Sequence, residues 1–193
     1  EIPHNFIAKL DELIFNFEDM RRKNLEICDG MGAKRIALTI KNLDIGSLTL
    51  KNAADRDIDT VFKWQCLPET RRYANDDSMP TWHDHETWMH KKLRSQTDFF
   101  YIIFAEDQDV GVVRLDQSST KVYVISIYIV STHHGKGIAK KALAVIDELH
   151  PNVRIIAEVK QENLASVALF ESAGYSKEQS EIFVRKPLVD FGD

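Results

Sequence analysis

The sequence predicts an α/β domain preceded by an N-terminal helical segment. Three observations support this fold class. Strand patterns and helix patterns alternate from residue 46 onwards, which is typical of α/β proteins. The first part of the chain instead carries apolar residues at helix spacing. The longest run of β-branched and aromatic residues, at positions 122–130, leads through a loop with two glycines into a further helix pattern.

The N-terminal segment has the pattern of an amphipathic helix. Its apolar stripe includes Phe6, Leu10 and Phe17, charged residues fill the other face, and Asp29-Gly30 ends the pattern. Because one amphipathic helix cannot bury its stripe alone, this segment is expected to pack on another surface. We divide the chain into a helical segment at 1–45, a main domain at 46–188 and a tail at 189–193.

Within the main domain, apolar runs between polar turns predict strands, and apolar residues at helix spacing predict helices. Thr81 and Asp84 form a capping box for the second helix, and Gly174 ends the last helix in the left-handed cap position. In chain order we predict a strand at 48–51, helices at 58–66 and 81–93, a strand at 99–105, a polar turn at 106–109, strands at 110–115 and 122–130, a helix at 138–149, a strand at 153–159, a helix at 164–173 and a strand at 182–185.

Composition excludes several classes of function. The 193 residues carry a net charge of −5, which argues against nucleic acid as the main partner because phosphate contacts need a basic face. We find no apolar run of membrane-helix length and no secretory signal, so we expect a cytoplasmic protein without a membrane partner. Cys28 and Cys66 have no metal or redox spacing and are predicted to be free thiols. His83, His85 and His90 lack accompanying ligands at metal-site spacing, so we predict no metal.

The loop at 131–137 is the strongest chemical signal in the sequence. Gly135 and Gly137 let the backbone approach a ligand closely, and the following helix offers unpaired N–H groups and the positive end of its dipole. Together these features bind phosphate, and Lys136 adds positive charge. An ordinary tight turn with a basic surface is the alternative. The spacing fits neither a Walker loop nor the dinucleotide fingerprint.

A second signal lies downstream, where Asn163, Ser166, Phe170, Gly174 and Tyr175 stand at the spacing Asn-x-x-Ser-x-x-x-Phe-x-x-x-Gly-Tyr. On a helix, the first three of these residues share one face. Two other interpretations stay open: the asparagine is also a good helix N-cap, and the tyrosine is also suited to the core.

Both signals, in this order and spacing, resemble the GNAT acetyltransferase superfamily over residues 47–188. The resemblance implies a GNAT acyltransferase fold with a mixed central β-sheet flanked by helices, and N-acetyl transfer from acetyl-coenzyme A. Thr132 stands where the family usually has Gln or Arg. The residues implied to bind the coenzyme are the loop and helix start at His133, His134, Gly135, Lys136, Gly137, Ile138 and Ala139, the strand backbone at Ile127 and Ile129, and Asn163, Ser166 and Phe170 on the later helix.

A narrower resemblance is to the N-acetyltransferases of pseudaminic acid biosynthesis, which acetylate a UDP-linked 4-amino-4,6-dideoxy sugar. It is carried by Trp64, Pro68, Arg71, His85, Trp88, Gly111, Arg114 and Asp116. The N-terminal segment is similar to the C-terminal tail of a UDP-sugar hydrolase of that pathway, through the run Asp-Gly-Met-Gly-Ala-Lys-Arg at 29–35. Since the chain starts at a glutamate, we expect it to be a piece of a longer protein with a hydrolase domain upstream.

Five residues are candidates for binding this acceptor. Two neighbouring arginines suit a sugar-nucleotide diphosphate because guanidinium forks match phosphate, although a solvated turn explains them equally well. Aromatic side chains suit stacking on a uracil or sugar, although they also serve as core anchors of a helix. The candidates are Trp64, Arg71, Arg72, Trp82 and His85.

Catalytic candidates are few, because the strand at 122–130 lacks the glutamate that often acts as base in this superfamily. Ser126 and Tyr128 are its polar inward candidates, and Glu158 on the next strand is the carboxylate nearest the expected cleft, although a solvent-facing role explains it equally well. Phe170 stands where many family members have a tyrosine that protonates the leaving thiolate, which leaves Tyr128 as the nearest alternative donor.

Three hypotheses of function follow. The first is N-acetylation of a nucleotide-linked amino sugar. The second is acetylation of another acceptor, such as a protein N-terminus or a polyamine. The third is a coenzyme A-binding domain that has lost catalysis, since the usual catalytic side chains are missing.

Overall fold

The computed structural model describes residues 48–74, 76 and 78–188, so the predicted segment at 1–45 and tail at 189–193 lie outside the described residues. Within the described part, seven strands form one sheet in the order β1-β2-β3-β4-β5-β7-β6. The strands are β1 Leu48–Asn52, β2 Phe99–Ala105, β3 Gln108–Ser119, β4 Val122–Ile129, β5 Arg154–Glu158, β6 Ser176–Gln179 and β7 Ile182–Arg185. The α-helices are α1 Ile58–Gln65, α2 Pro68–Arg71, α3 Trp82–Leu93, α4 Ile138–Leu149 and α5 Leu164–Ser172.

The sheet is mixed, which confirms the predicted fold class. Strands β1 to β4 pair antiparallel in chain order, β4 and β5 pair parallel, and β5, β7 and β6 continue antiparallel. A parallel pair cannot be closed by a hairpin, and here the connection from β4 to β5 runs through α4. The loop at 131–137 therefore follows β4, the strand at which the pairing changes from antiparallel to parallel.

Helices cover both faces of the sheet. On one face, Val61 of α1 and Met89 of α3 are fully buried against Phe100 and Val112 of β2 and β3. Side chains alternate across a strand, so Tyr101 points to the other face, where its hydroxyl lies 3.0 Å from Nε2 of His150 at the end of α4. The helix α4 thus packs opposite α1 and α3.

The main differences from the sequence prediction lie in polar segments. The turn between β2 and β3 is Glu106–Asp107, both with positive φ (51° and 62°), and β3 already starts at Gln108. The sequence predicted a turn at 106–109 because all four residues are polar. Gln108 and Asp109, however, belong to β3 and have exposed side chains. The short strand β6 has only exposed side chains and hence no apolar pattern to indicate it.

Gly111 lets β3 pass close to β4. A Cβ at this position would overlap the carbonyl oxygen of Tyr128 and lie 3.0 Å from the Cα of Ile129. Both neighbours are backbone in the central sheet, which cannot move aside cheaply.

We predict that Gly111→Ala lowers the free energy of unfolding by about 1–3 kcal/mol, the usual cost of overpacking a core. Urea unfolding followed by circular dichroism measures this change. An unchanged midpoint would show that β3 and β4 separate more easily than this close approach indicates.

Candidate functional site

An opening between β4 and β5 forms the centre of the candidate site. The last parallel pair is Ile125 with Ala157, whereas β4 continues to Ile129 in pairing with β3. The N–H of Arg154 bonds to the carbonyl of Lys121 at 2.8 Å, so odd-numbered residues of β4 turn their backbone groups towards β5. Beyond the last pair, the backbone of Ile127 and Ile129 therefore faces the opening.

The glycine loop lies at the end of this opening. Gly135 and Gly137 both have left-handed backbone (φ 76° and 72°), and a Cβ built on either would meet no atom of the described structure within 4 Å. Gly137 is the N-cap of α4 and offers no side-chain cap, and the first helical bond runs from the N–H of Lys141 to the carbonyl of Gly137 at 3.1 Å. The amides of Ile138 and Ala139 thus have no acceptor within the helix, which fits a phosphate at this helix start.

The side chains of the loop are bound to the neighbouring β2–β3 turn. Lys136 Nζ lies 2.6 Å from Oε2 of Glu106, and this hydrogen bond holds the pKa of the Glu106 carboxyl below its usual value. The His133 imidazole is buried, with Thr132 Oγ1 at 2.9 Å and the Gln108 amide nitrogen at 3.1 Å. The backbone N–H of His133 is also bonded, to the Val130 carbonyl at 2.9 Å, so both its ring and its amide already have partners in the described structure.

His134 closes one end of the opening. Its Nε2 lies 2.7 Å from the carbonyl oxygen of Ile129, so that backbone acceptor already has a partner. The described structure gives no such side-chain partner to the backbone of Ile127, which leaves its amide for a ligand arm placed in the opening.

The helix α5 contributes less than the sequence suggested. Asn163 Oδ1 accepts from the N–H of Ser166 at 3.2 Å, so Asn163 is the N-cap of this helix, as the alternative interpretation held. The Phe170 ring is buried, with centroid distances of 5.0 Å to Tyr175 and 6.3 Å to Phe183. Phe170 is a core residue, and a contact between it or the α5 N-terminus and the coenzyme stays a prediction.

A second surface lies on the face of the sheet that carries α1 and α3. Ser126 and Tyr128 of β4 point to this face, where the Trp64 ring meets the Tyr128 ring edge-on at 6.3 Å. Arg114 of β3 stands directly opposite Ser126, with its NH2 group 3.4 Å from the serine Oγ. The guanidinium also lies 5.0 Å from the centroid of the Trp88 ring. This surface, formed by Trp64, Trp88, Arg114, Ser126 and Tyr128, is called the acceptor face below.

Tyr128 has a buried hydroxyl without a hydrogen-bond partner in the described structure. Burial raises the pKa of this phenol, and the nearby positive charges of Arg114 and Arg71 oppose the rise without cancelling it. The phenol is therefore protonated at neutral pH and can donate. Arg71 also has a buried donor without a partner. Its NH1 group donates to the carbonyls of Asp76 and Ser78 at 3.2 Å each, but its buried Nε has no partner among the described residues.

Glu158 ends β5 across the opening from Ser126. Since Ala157 pairs with Ile125, Glu158 and Ser126 are the next residues of the two strands, just where the pairing stops. Both side chains are exposed. The structure thus brings the three catalytic candidates Ser126, Tyr128 and Glu158 to one region.

Three predicted acceptor-binding residues lie elsewhere. The prediction for His85 is corrected: the side chain is only 2% exposed, with Nε2 2.9 Å from the Ile58 carbonyl and Nδ1 3.2 Å from Gln65 Oε1, so it fastens α3 to both ends of α1. Burial also lowers the pKa of this imidazole. In the described part of the chain, Arg72 lies over the Tyr73 ring, and the half-exposed Trp82 packs on Phe62 and His85; neither packs against Tyr128.

An ion-pair chain lies beside the acceptor face, and the sequence analysis singled out its members Arg114 and Asp116 but neither Lys92 nor the ion pairs themselves. Asp116 Oδ2 lies 2.8 Å from Arg114 Nε, and its other oxygen lies 2.6 Å from Lys92 Nζ. Lys92 also lies 2.9 Å from Asp98. Arg114 and Asp116 share one face of β3, but only the packing of α3 against the sheet brings Lys92 to them, so no spacing along the chain could indicate that contact.

No group of three or more histidine, cysteine or acidic side chains among the described residues is arranged to hold a metal ion. No helix in that part of the chain is both long enough and apolar enough to cross a membrane.

Three solved structures share the fold. An aminoglycoside acetyltransferase in complex with coenzyme A and kanamycin is 18% identical, with a TM-score of 0.62 over 72% of this chain and 95% of that chain. A spermidine N-acetyltransferase from Vibrio cholerae, in complex with coenzyme A and spermine, is 19% identical, with a TM-score of 0.62 over 71% and 91%. A ribosomal L7/L12 α-N-protein acetyltransferase with coenzyme A is 12% identical, with a TM-score of 0.64 over 75% and 96%.

At these identities the three structures establish the fold alone. No curated protein gives a significant match to the chain. A family model described as an acetyltransferase (GNAT) domain, however, matches residues 47–176, about two thirds of the sequence. The chain therefore belongs to the GNAT acetyltransferase family and is an acetyl-coenzyme A-dependent N-acetyltransferase.

Proposed function

We propose that the acceptor is the amine of a nucleotide-linked amino sugar, a UDP-4-amino-4,6-dideoxy sugar, in surface-glycan biosynthesis of the pseudaminic acid type. The observation that carries this proposal is a pair of buried hydrogen-bond donors without partners, one on the acceptor face and one on the nearby Arg71. The Tyr128 hydroxyl and the Arg71 Nε are buried without partners in the described structure. A buried polar group without a partner costs about 1–3 kcal/mol, so a ligand rich in oxygen acceptors is favoured there. The Trp64 ring beside Tyr128 adds a wall suited to a sugar ring.

The glycine loop is proposed to hold the coenzyme. Acetyl-coenzyme A supplies the activated acetyl thioester. Within the loop and helix start at 133–139, the amides from Gly135 onwards receive its phosphates, since those of His133 and His134 already bond to the carbonyls of Val130 and Ser131. The Ile127 backbone in the opening receives its extended arm. The Ile127 N–H is also a preorganised donor for a carbonyl oxygen in the opening.

Three side chains are proposed to handle protons. An amine on a sugar ring is less basic than a lysine amine, whose reference pKa is near 10.4, and therefore needs a weaker base. Glu158, directly or through a water, and Ser126 stand beside the opening to accept the amine proton. Tyr128 keeps its own proton at neutral pH and is proposed to donate it to the leaving thiolate, a role that Phe170 cannot take.

Other acceptors fit this face less well. Spermine and kanamycin, bound in two of the similar structures, carry several amines that are cationic in water. Two arginines lie close enough to Tyr128 to affect its pKa, and like charges repel a polycation more strongly in a partly buried site than in water. A protein N-terminus and a lapsed, coenzyme-binding domain are the remaining alternatives.

The proposal also covers the N-terminal segment and the location of the protein in the cell. Residues 1–45, outside the described part of the chain, are proposed to be the tail of a UDP-sugar hydrolase domain that lies upstream in a longer parent protein. A cytoplasmic location fits, because the free thiol of Cys66 stays reduced there.

The first prediction concerns the glycine loop. Gly135→Ala places a methyl group where we expect the coenzyme phosphates to approach, so calorimetry should show at least a tenfold loss of coenzyme A affinity. Gly174→Ala is the matched control, since Gly174 also has left-handed backbone (φ 83°) and open space around it but caps α5. Both variants should lose similar stability, about 1–2 kcal/mol. Equal affinities for coenzyme A would remove the phosphate site from this loop.

The second prediction concerns the acceptor. With saturating acetyl-coenzyme A, we expect kcat/KM for the UDP-4-amino-4,6-dideoxy sugar to exceed that for spermidine, kanamycin and an N-terminal peptide by at least a hundredfold. Thiol release measures all four reactions on one scale. Faster acetylation of any other amine in the panel contradicts the proposed acceptor.

The third prediction concerns Tyr128. Tyr128→Phe should lower kcat about a hundredfold, the usual contribution of general acid catalysis, while it leaves coenzyme A affinity unchanged. Because the lost hydroxyl has no partner, thermal stability should stay equal or rise. Tyr175→Phe removes another buried hydroxyl, one beside the core ring of Phe170, and should keep kcat within about twofold. Full activity of Tyr128→Phe would remove Tyr128 from the acid role.

A further inference from the structure

We propose that Arg114 binds and orients the acceptor, and that Asp116 and Lys92 hold its guanidinium in place. The inference rests on the acceptor face described above and adds the residue that selects the acceptor chemistry. Arg114 belongs to β3, the neighbour of the strand that borders the opening, and stands opposite Ser126 just where β4 and β5 stop pairing. Its guanidinium is therefore next to the expected position of the reacting amine.

The guanidinium is fixed on three sides. Its Nε donates to Asp116 at 2.8 Å, its Cζ lies 5.0 Å from the Trp88 centroid, and its NH2 group reaches Ser126 at 3.4 Å. A guanidinium has five N–H donors in a rigid fork. In the described structure these contacts leave the NH1 group and the second NH2 hydrogen without protein acceptors. With 21% of its side chain exposed, Arg114 presents these donors to a ligand on the acceptor face.

Asp116 is the link that sets this geometry. One of its oxygens binds Arg114 and the other binds Lys92 at 2.6 Å. Lys92 lies in the last turn of α3, while Asp116 lies in β3 two residues from Arg114, so the link ties a helix to the sheet at the site. All three side chains are largely buried, with 19–26% exposure, where an ion pair is weakened less by solvent than at the surface.

The chemistry of Arg114 defines what it recognises. A guanidinium only donates and remains cationic at every relevant pH. Its partner on the acceptor is therefore an oxygen near the amine, a hydroxyl, a carboxylate or a phosphate, and not a second ammonium. The same charge favours the neutral form of an amine bound beside it, which is the form that attacks a thioester.

Asp98 provides a matched control for the positioning role. Asp98 and Asp116 are both carboxylates bonded to Lys92, at 2.9 Å and 2.6 Å. Asp116 alone of the two touches Arg114, whereas Asp98 accepts from the backbone N–H of Gln117 at 2.9 Å. If the ion pairs serve only stability, replacing either aspartate has the same consequence. If they orient Arg114, only Asp116 affects the acceptor.

The experiment compares Arg114→Lys, Arg114→Gln, Asp116→Asn and Asp98→Asn in the full chain. The acceptor used is the amine that the wild-type protein acetylates fastest among the four compounds of the second prediction. We expect KM for the acceptor to rise at least thirtyfold in Arg114→Gln and about tenfold in Asp116→Asn, with partial recovery in Arg114→Lys. Asp98→Asn should stay within about threefold, and coenzyme A affinity should be unchanged in all four variants.

The outcomes separate this inference from the proposed function. Equal acceptor KM values in Asp116→Asn and Asp98→Asn, or a wild-type KM in Arg114→Gln, overturn the inference whichever amine is used. If another oxygen-bearing amine is the best acceptor and still depends on Arg114, the sugar assignment fails and the inference holds. A best acceptor without oxygen near its amine, such as spermidine, overturns both, as does a wild-type protein that acetylates none of the amines.

Discussion

The end of the parallel pairing between β4 and β5 is the constraint on which the site depends. Beyond Ile125, the strand β4 keeps its partner on one side and leaves the backbone of Ile127 facing an opening on the other. Buried backbone groups in folded proteins are almost always paired, so an interior strand that loses its neighbour needs a partner from outside the sheet. In our proposal the extended arm of the coenzyme supplies one. The glycine loop and the uncapped start of α4 lie at the end of the same opening, where we propose that the phosphates of the coenzyme bind.

In the proposed site, the alternation of a β-strand divides the two substrates. The backbone of β4 is assigned to the coenzyme, because the unpaired amide lies in the plane of the sheet. Its even-numbered side chains, Ser126 and Tyr128, stand on the face covered by α1 and α3 and are assigned to the acceptor. Substitutions on this face can therefore change the acceptor without changing the coenzyme site. Such a division is consistent with one fold carrying acetyltransferases for an aminoglycoside, a polyamine and a protein.

Sequence reasoning succeeded where the signal is local. Apolar runs gave most strands and helices, and the two glycines of the loop mark positions where the backbone is in fact left-handed. His85 shows where such reasoning fails, since the narrower resemblance suggested a ligand contact but the side chain is buried and bonds to the Ile58 carbonyl, distant in sequence. Lys92 shows the opposite failure, because no sequence signal singled it out. Its link to Arg114 through Asp116 is created only by the packing of α3 against the sheet.

The hydrogen-bond donors at the acceptor face restrict the chemistry of the ligand more than the shape of that face does. Tyr128 and the nearby Arg71 each leave a buried donor without a partner among the described residues, and Arg114 adds a charged fork. A ligand of hydrocarbon and ammonium groups satisfies none of these donors and adds positive charge beside two guanidiniums. A ligand with clustered hydroxyl and phosphate oxygens satisfies them and places its amine in a field that favours the neutral form. Binding and activation of the amine thus call for the same feature, oxygen close to the reacting nitrogen, which an amino sugar has by its structure.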